Sequence, residues 1–374
     1  METTDPLAEY RREIDECDRE IVRLLHRRAA AAIGIGRHKQ ANGQPFYDAS
    51  RQKEVLRRVV EHASGGAFPA EGLRNVFSEI MSSCLNLERP IRVGYLGPAG
   101  TFSHMAAITE FGSTPELKPY PNFSDIFDAV ERDWIDYGVV PVENSTNGMV
   151  HYVLDLLMNH DLIINTEILM GIHHCLLSRA AMKDIARIYS HQQGLQQCQI
   201  WLRRNLPGVD HVEVGSTAMG VQRALDDPQG AAIGSALAAR LHDINILAAN
   251  IEDMKDNFTR FLTLARRESA PSPHDKTSII FSVADRPGAL FEMLRHFNDS
   301  GVNLTKIESR PSRRRAWDYV FFVDMIGGHQ EPHIHTVMDR IKAGSSFFKF
   351  LGSYPRDLAP REAQGSIEPL SEES

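Results

Sequence analysis

Ile91-Arg92-Val93-Gly94-Tyr95-Leu96-Gly97-Pro98-Ala99-Gly100-Thr101-Phe102-Ser103, residues 91–103, carries an apolar strand pattern into a Gly-rich turn and on into a helical pattern. A turn of this kind leaves the first N–H groups of the following helix unpaired. They form the positive end of the helix dipole, which suits a carboxylate or a phosphate. The arrangement recurs. Tyr137-Gly138-Val139-Val140-Pro141-Val142 is a second apolar run, and Glu143-Asn144-Ser145-Thr146-Asn147-Gly148 is a second polar elbow, read as leading into a helix from Met149 to Met158. Two such elbows predict two facing lobes around a small anion.

On either side of this core the periodicity changes. Residues 6–88 lack strand alternation and carry long helical patterns, whereas 91–268 alternates short Val/Ile-rich runs with helical patterns, the mark of α/β construction. Glu268 to His274 is a Pro/Ser linker. Beyond it a strand at 278–283, a helix at 287–298, strands at 302–309 and 317–325, a helix at 332–343 and a strand at 348–353 follow in the order βαββαβ. Residues 356–374 read as a flexible polar tail.

With 374 residues, 42% of them hydrophobic, the chain can bury two or three cores. A formal charge of -8 with both signs dispersed argues against a general nucleic-acid or membrane surface, so any anion site is local. The four cysteines, Cys17, Cys84, Cys175 and Cys198, have no C-x-x-C spacing and are expected as reduced thiols. No apolar stretch reaches the roughly 18 residues of a membrane span and the acidic start has no secretory pattern, so the cytoplasm is expected. His173-His174 beside Cys175 is not read as a metal site, because neighbours on a strand point to opposite faces.

In the helical segment, alternating steps of three and four from Arg11 give Arg11, Ile14, Asp18, Ile21, Leu25, Arg28, Ala32, Ile35 and Lys39, one seam of a long helix. Cations within a seam need carboxylate partners, from the protein or from a ligand. Arg28 and Lys39 lie about 16 Å apart along the axis, close to three whole turns, so both can lean on one small dianion. Arg11, about 25 Å from Arg28, belongs to a different site and calls for a second copy. On pattern alone a surface helix with snorkelling Arg and Lys fits equally well.

The motifs GPAGTFSH (97–104), VPVENSTNG (140–148) and Asn257-Phe258-Thr259-Arg260-Phe261 resemble, in order and spacing, those of prephenate dehydratase. The whole chain resembles the bifunctional chorismate mutase and prephenate dehydratase family of phenylalanine biosynthesis. The resemblance implies an all-α mutase domain at 1–90 that works as an intertwined dimer. It further implies a two-lobed, periplasmic-binding-protein-like α/β dehydratase domain at 91–268 and an α+β ACT domain at 277–355. Neither implied reaction calls for a cofactor.

For the mutase, Arg11, Arg28, Lys39, Asp48 and Arg51 fall on family positions that hold chorismate, with Gln52, Cys84 and Glu88 where glutamate, serine and glutamine are usual. The reaction is a pericyclic rearrangement that needs a compact conformer and stabilised charge on the breaking ether oxygen, and Lys39 is assigned to that oxygen. Glu88 can donate there only when protonated, since an ionised carboxylate is acceptor-only. For the dehydratase, Thr259 matches the family's essential threonine and is assigned to the leaving ring hydroxyl. Thr101, Ser103, Asn144, Ser145 and Thr146 are expected substrate donors, with Asn144 and Ser145 alternatively capping a helix. Arg260 is read as a carboxylate partner or a structural ion pair, and Phe261 as a contact or a core residue. Ser190 to Leu195 matches a family segment that usually has proline and alanine at the Gln192 and Gly194 positions, and Gly215-Ser216-Thr217-Ala218 matches another.

In the last segment Gly288, Ala289 and Leu290, with Glu308, Ser309, Arg310 and Pro311, match the effector-binding motifs of ACT domains, and the implied effector is phenylalanine. Three other readings stay open: a dehydratase with a non-catalytic dimerising arm, a dehydratase acting on arogenate, and a ligand sensor without turnover.

Overall fold

The computed structural model describes residues 5–63, 65–311, 319–358, 360 and 361. The described residues form two compact units, one drawn from residues 5–91 with 111–116 and the other from 92–110 with 117–361.

The first unit is helical: α1 (Pro6–Ala41), α2 (Ala49–Ala63) and α3 (Ala70–Glu88). Asp5 caps α1 by accepting from the Leu7 N–H at 3.1 Å, and Pro6 occupies the first turn, where its missing N–H costs nothing. The seam of α1 is not a core within one chain. Ile14, Ile21 and Ile35 stay half-exposed or more, while Ala32 and Gly36 are buried. A Cβ on Gly36 would stand 2.9 Å from the Cα of Glu88, so the backbones of α1 and α3 touch there.

The second unit begins with a six-stranded sheet built from β1 (Arg92–Leu96), β2 (Glu116–Tyr120), β3 (Tyr137–Asn144), β4 (Gly148–Met149) and β5 (Ile163–Gly171), interleaved with α4 (Phe102–Phe111), α5 (Phe123–Glu131) and α6 (His151–Asn159). The chain then crosses to a five-stranded sheet of β6 (Cys175–Ser178), β7 (Arg187–Ser190), β8 (Asp210–Glu213), β9 (Gly230–Gly234) and β10 (Ile246–Ala248). Around it lie α7 (Gln192–Gln197), α8 (Gln199–Asn205), α9 (Thr217–Asp226) and α10 (Ala236–His242). It returns as β11 (Phe258–Ala265), which inserts antiparallel between β3 and β5. The two crossovers are tied together: Ile172 N–H donates to Asn257 O (2.8 Å) and Ile251 N–H to His174 O (2.9 Å).

The last segment is β12 (Asp275–Ser282), α11 (Ala289–Asp299), β13 (Leu304–Pro311), β14 (Tyr319–Ile326), α12 (Pro332–Gly344) and β15 (Phe347–Pro355), the expected βαββαβ order. The start of the expected strand at Trp317 lies outside the described residues. The sheet order is β13-β14-β12-β15. One face packs under α11 and α12 through Phe281, Phe297, Val323 and Ile334. The other places Ile280, Val320, Phe322 and Leu351 in one core with Val140 and Leu262 of the six-stranded sheet and Ile126 of α5. The two segments therefore share a hydrophobic core.

Two expectations are corrected. The second elbow does not enter a helix: it is a hairpin turn into β4, and α6 starts only at His151. The tail expected to be flexible from 356 is docked as far as 361. Arg361 pairs with Met170 at the free edge of β5, its N–H donating to Leu169 O (2.7 Å) and its carbonyl accepting from Gly171 N–H (3.1 Å). Its guanidinium meets buried Glu110 at 2.8 Å and Asp357 at 2.6 Å. Residues 362–374 lie outside the described residues.

Candidate active sites

Thr259 and Asn144 are register partners on β11 and β3, next to the crossover. The Asn144 amide donates to Thr259 Oγ1 (2.9 Å), Asn257 Oδ1 (2.8 Å) and Phe258 O (3.1 Å), while its Oδ1 accepts from Thr146 N–H and Asn147 N–H. With every polar site spent internally, Asn144 orients Thr259 rather than offering a donor outward. Thr259 accepts from Asn144, and its own hydroxyl hydrogen has no acceptor among the described residues. Ser145 is likewise committed, its Oγ donating to Asp256 O and accepting from Phe258 N–H. Neither residue caps α6, as the alternative reading had it; they stitch the turn to β11.

The first elbow does have the expected strand-turn-helix form. Thr101 Oγ1 donates to Leu96 O (2.9 Å) and accepts from His104 N–H (3.3 Å), so it serves the turn instead of a ligand. Ser103 is buried two residues beyond Thr101, and Ser235 of the five-stranded lobe donates to Gly100 O at 2.7 Å. His104, at the end of the motif, was not singled out by sequence. Its Nδ1 accepts from Gly100 N–H (3.1 Å), which assigns the neutral ring's proton to Nε2, and the ring stacks on Tyr95 with centroids 4.4 Å apart. Burial lowers the His104 pKa and pushes the Tyr95 phenol up to about 12.

A second cluster, whose Glu252 and Gln197 were not singled out by sequence, lies at the crossovers. Glu252 accepts from the His174 backbone N–H and bonds His173 Nδ1, both at 2.8 Å, while His174 Nε2 meets Gln197 Oε1 at 2.8 Å. The two rings thus serve different partners, although both residues bond Glu252. His191 and Ser216, in the two further matched segments, cap α7 and α9.

Arg260 and Phe261 depart from the substrate-binding expectation. Phe261 is a core residue, 2% exposed. Arg260 lies largely shielded on the opposite face of β11 from Thr259, as strand alternation requires. It donates to Glu167 (2.7 Å), Asp324 (2.6 Å) and the Tyr354 hydroxyl (2.9 Å). Lys276 also donates to Glu167, and Ser278 to Asp324. Burial by itself pushes the Asp324 carboxyl up, but the charge of Arg260 and the Ser278 hydroxyl outweigh it and hold the pKa below its ordinary value.

The effector motifs divide in the same way. Gly288 takes φ 82° at the start of α11, a conformation glycine adopts freely. Along β13, Lys306, Glu308 and Arg310 alternate with the exposed Ser309 and Pro311. Arg310 is corrected from effector contact to ion pair, 3.0 Å from Asp155 of α6.

In the helical unit, Lys39 Nζ donates to Glu88 Oε2 (2.9 Å) and Phe46 O (2.5 Å), and Arg28 reaches Ile80 O at 3.5 Å. Asp48 accepts from the Arg51 N–H at 3.0 Å at the start of α2, where Arg51 pairs with Glu54. Cys84 is buried on α3. Arg28, Lys39, Cys84 and Glu88 thus gather where α1 meets α3, with Gln52 in the first turn of α2 and Arg11 distant and exposed on α1.

A helical arm with a half-buried Lys and Glu pair, a two-sheet body with a polar register pair beside its crossovers, and a βαββαβ module sharing the body's core define a multidomain enzyme with a fused regulatory module. Family models agree segment by segment: chorismate mutase type II matches residues 10–89, prephenate dehydratase 93–269 and the ACT domain 277–340. A bifunctional chorismate mutase/prephenate dehydratase from Aquifex aeolicus is 44% identical over 358 residues, 95% of this chain and 99% of the relative. One from Stutzerimonas stutzeri is 42% identical over 363 residues, again 95% and 99%. The crystal structure of a prephenate dehydratase in complex with L-Phe from Arthrobacter aurescens is 33% identical with a TM-score of 0.68, covering 73% of this chain and 93% of that one. The chain belongs to the bifunctional chorismate mutase/prephenate dehydratase family.

Proposed function

We propose that the helical unit rearranges chorismate to prephenate, and that the two-sheet segment decarboxylates and dehydrates prephenate to phenylpyruvate under feedback by phenylalanine. In the second reaction the electron pair of the breaking bond to the ring carboxylate moves through the ring as it aromatises and expels the hydroxyl, which takes up a proton and leaves as water. The protein needs a donor on that oxygen and little else. The observation that carries this reading is the Asn144 and Thr259 pair, in which Asn144 occupies a lone pair of the threonine and leaves its O–H to donate.

For the mutase, Lys39 supplies the charge at the ether oxygen, and substrate displaces its contact with Glu88. Lys39→Met should slow chorismate rearrangement about a hundredfold, the usual cost of one such donor, with supplied prephenate still consumed normally. Equal loss of both activities would point to misfolding instead.

The half-exposed apolar seam of α1 and the remote Arg11 support a homodimer in which each α1 serves two sites. No described helix is long and apolar enough to cross a membrane, and a cytoplasmic location agrees with the proposed substrates. The first test is turnover of chorismate by the purified chain, following prephenate and phenylpyruvate separately with and without phenylalanine. Both products, with phenylpyruvate suppressed by phenylalanine, are expected; phenylpyruvate formed only from supplied prephenate would reduce the helical unit to a dimerising arm.

A further inference from the structure

We propose that Lys306 and Asp324, both in the C-terminal βαββαβ module, are positioning residues for the dehydratase centre. The proposal rests on the reading that Thr259 serves prephenate. Its basis is a match of register between two sheets. On the dehydratase sheet Thr259 pairs with Asn144, and the next pair along the ladder is Arg260 with Glu143. On the C-terminal sheet Lys306 pairs with Asp324 across β13 and β14. The two charged pairs face each other with opposite signs: Lys306 Nζ donates to Glu143 Oε1 at 2.6 Å, and Arg260 Nη1 donates to Asp324 Oδ2 at 2.6 Å. Backbone ladders close two sides of this ring of four residues and charged hydrogen bonds close the other two.

Both Glu143 and Arg260 are one residue from the pair that orients the Thr259 hydroxyl. A displacement of β13 or β14 therefore acts on β3 and β11 at the point where Asn144 sets the direction of that hydroxyl. The Arg260–Asp324 bond is shielded from water, with Ser278 and Tyr354 completing its surround, and holds geometry tightly, while the Lys306–Glu143 bond lies nearer the surface. Lys306 lies two residues before Glu308, where the effector-matching stretch of β13 begins. An effector shifts an activity only by binding one arrangement better than another, and the clasp supplies a contact through which module and centre bias the same two strands.

The test uses the full chain and four variants: Lys306→Glu, Glu143→Lys, the double reversal of both, and Asp324→Asn. Far-UV circular dichroism and urea unfolding report that each variant is folded, because chorismate turnover reports on the helical unit alone. Lys306→Glu is expected to lower kcat for prephenate about 10- to 100-fold, with little change in KM and normal chorismate turnover, as loss of a charged hydrogen bond implies. The double reversal should recover most of that loss. In Asp324→Asn the ratio of prephenate rates without and with phenylalanine should collapse towards one while phenylalanine still binds by calorimetry. Wild-type kcat and undiminished inhibition in Lys306→Glu and Asp324→Asn would overturn the proposal, as would a double reversal no better than the worse single variant. A wild-type chain unable to consume prephenate would remove the reading of Thr259 and the proposal with it, whereas an active wild type with indifferent variants removes the proposal alone.

Discussion

Thr259→Val should lower prephenate turnover by roughly a thousandfold, within the range attributed to a positioned proton donor, and leave chorismate rearrangement at its normal rate. Valine keeps the branched shape and the β propensity of threonine, so β11 should hold its place between β3 and β5. What is lost is the O–H that Asn144 leaves unengaged. Thr259→Ser retains that group with a freer χ1 and should keep a measurable part of the rate. The check is steady-state kinetics on supplied prephenate, reading kcat apart from KM. A donor needed only as the ring hydroxyl departs lowers kcat, whereas a ground-state contact raises KM. A valine variant within tenfold of normal would move the proton donor elsewhere, with His104 and its Nε2–H the next group to examine.

Arg260→Met carries the second large effect, on stability. The guanidinium is the shared partner of Glu167 and Asp324, both buried, and methionine would leave Asp324 with the Ser278 hydroxyl as its remaining donor. Breaking a buried pair by removing one partner costs about 3–5 kcal/mol, because the remaining charge stays desolvated. Glu167 keeps Lys276, so the loss should fall mainly on the Asp324 side of the cluster. Urea unfolding should show it as a lower midpoint, and a change of under about 1 kcal/mol would mean that Asp324 finds water once the arginine is gone. The same cluster sets an acid limit. Asp324 has its carboxyl held below the ordinary value, so its contribution is present in full above about pH 4 and is lost as the pH falls through the lowered value. Asp324→Asn should flatten that part of the stability profile.

Local pattern made much of this architecture readable. The steps of three and four from Arg11 to Lys39 gave one long helix, and the βαββαβ order emerged because each strand and helix there is short and sharply bounded. The second elbow failed for a specific reason. Asn and Ser ahead of an apolar stretch look alike whether they cap a helix or close a turn, and here Asn144 spends its carbonyl oxygen on the two amides that follow it. The opposite facing of Thr259 and Arg260 was implicit in strand alternation. The partners of Arg260 were not, because Glu167 lies 93 and Asp324 64 residues away and nothing local marks either as its counterpart. Arg310 was lost likewise: a motif names a residue without saying which face of its strand it takes, and Asp155 on α6 claims it.

The docking of Arg361 on β5 bears on how this chain behaves at high concentration. A terminal strand of a sheet exposes a row of amide and carbonyl groups that can recruit the same row from a neighbouring molecule, and proteins blunt such rows with charge or cover them. Here the chain covers the row, since Arg361 fills the backbone positions at Leu169 and Gly171 while its guanidinium is held by Glu110 and Asp357. Material shortened ahead of Asp357 would therefore show its defect first as self-association in light scattering, before any loss of turnover per folded molecule.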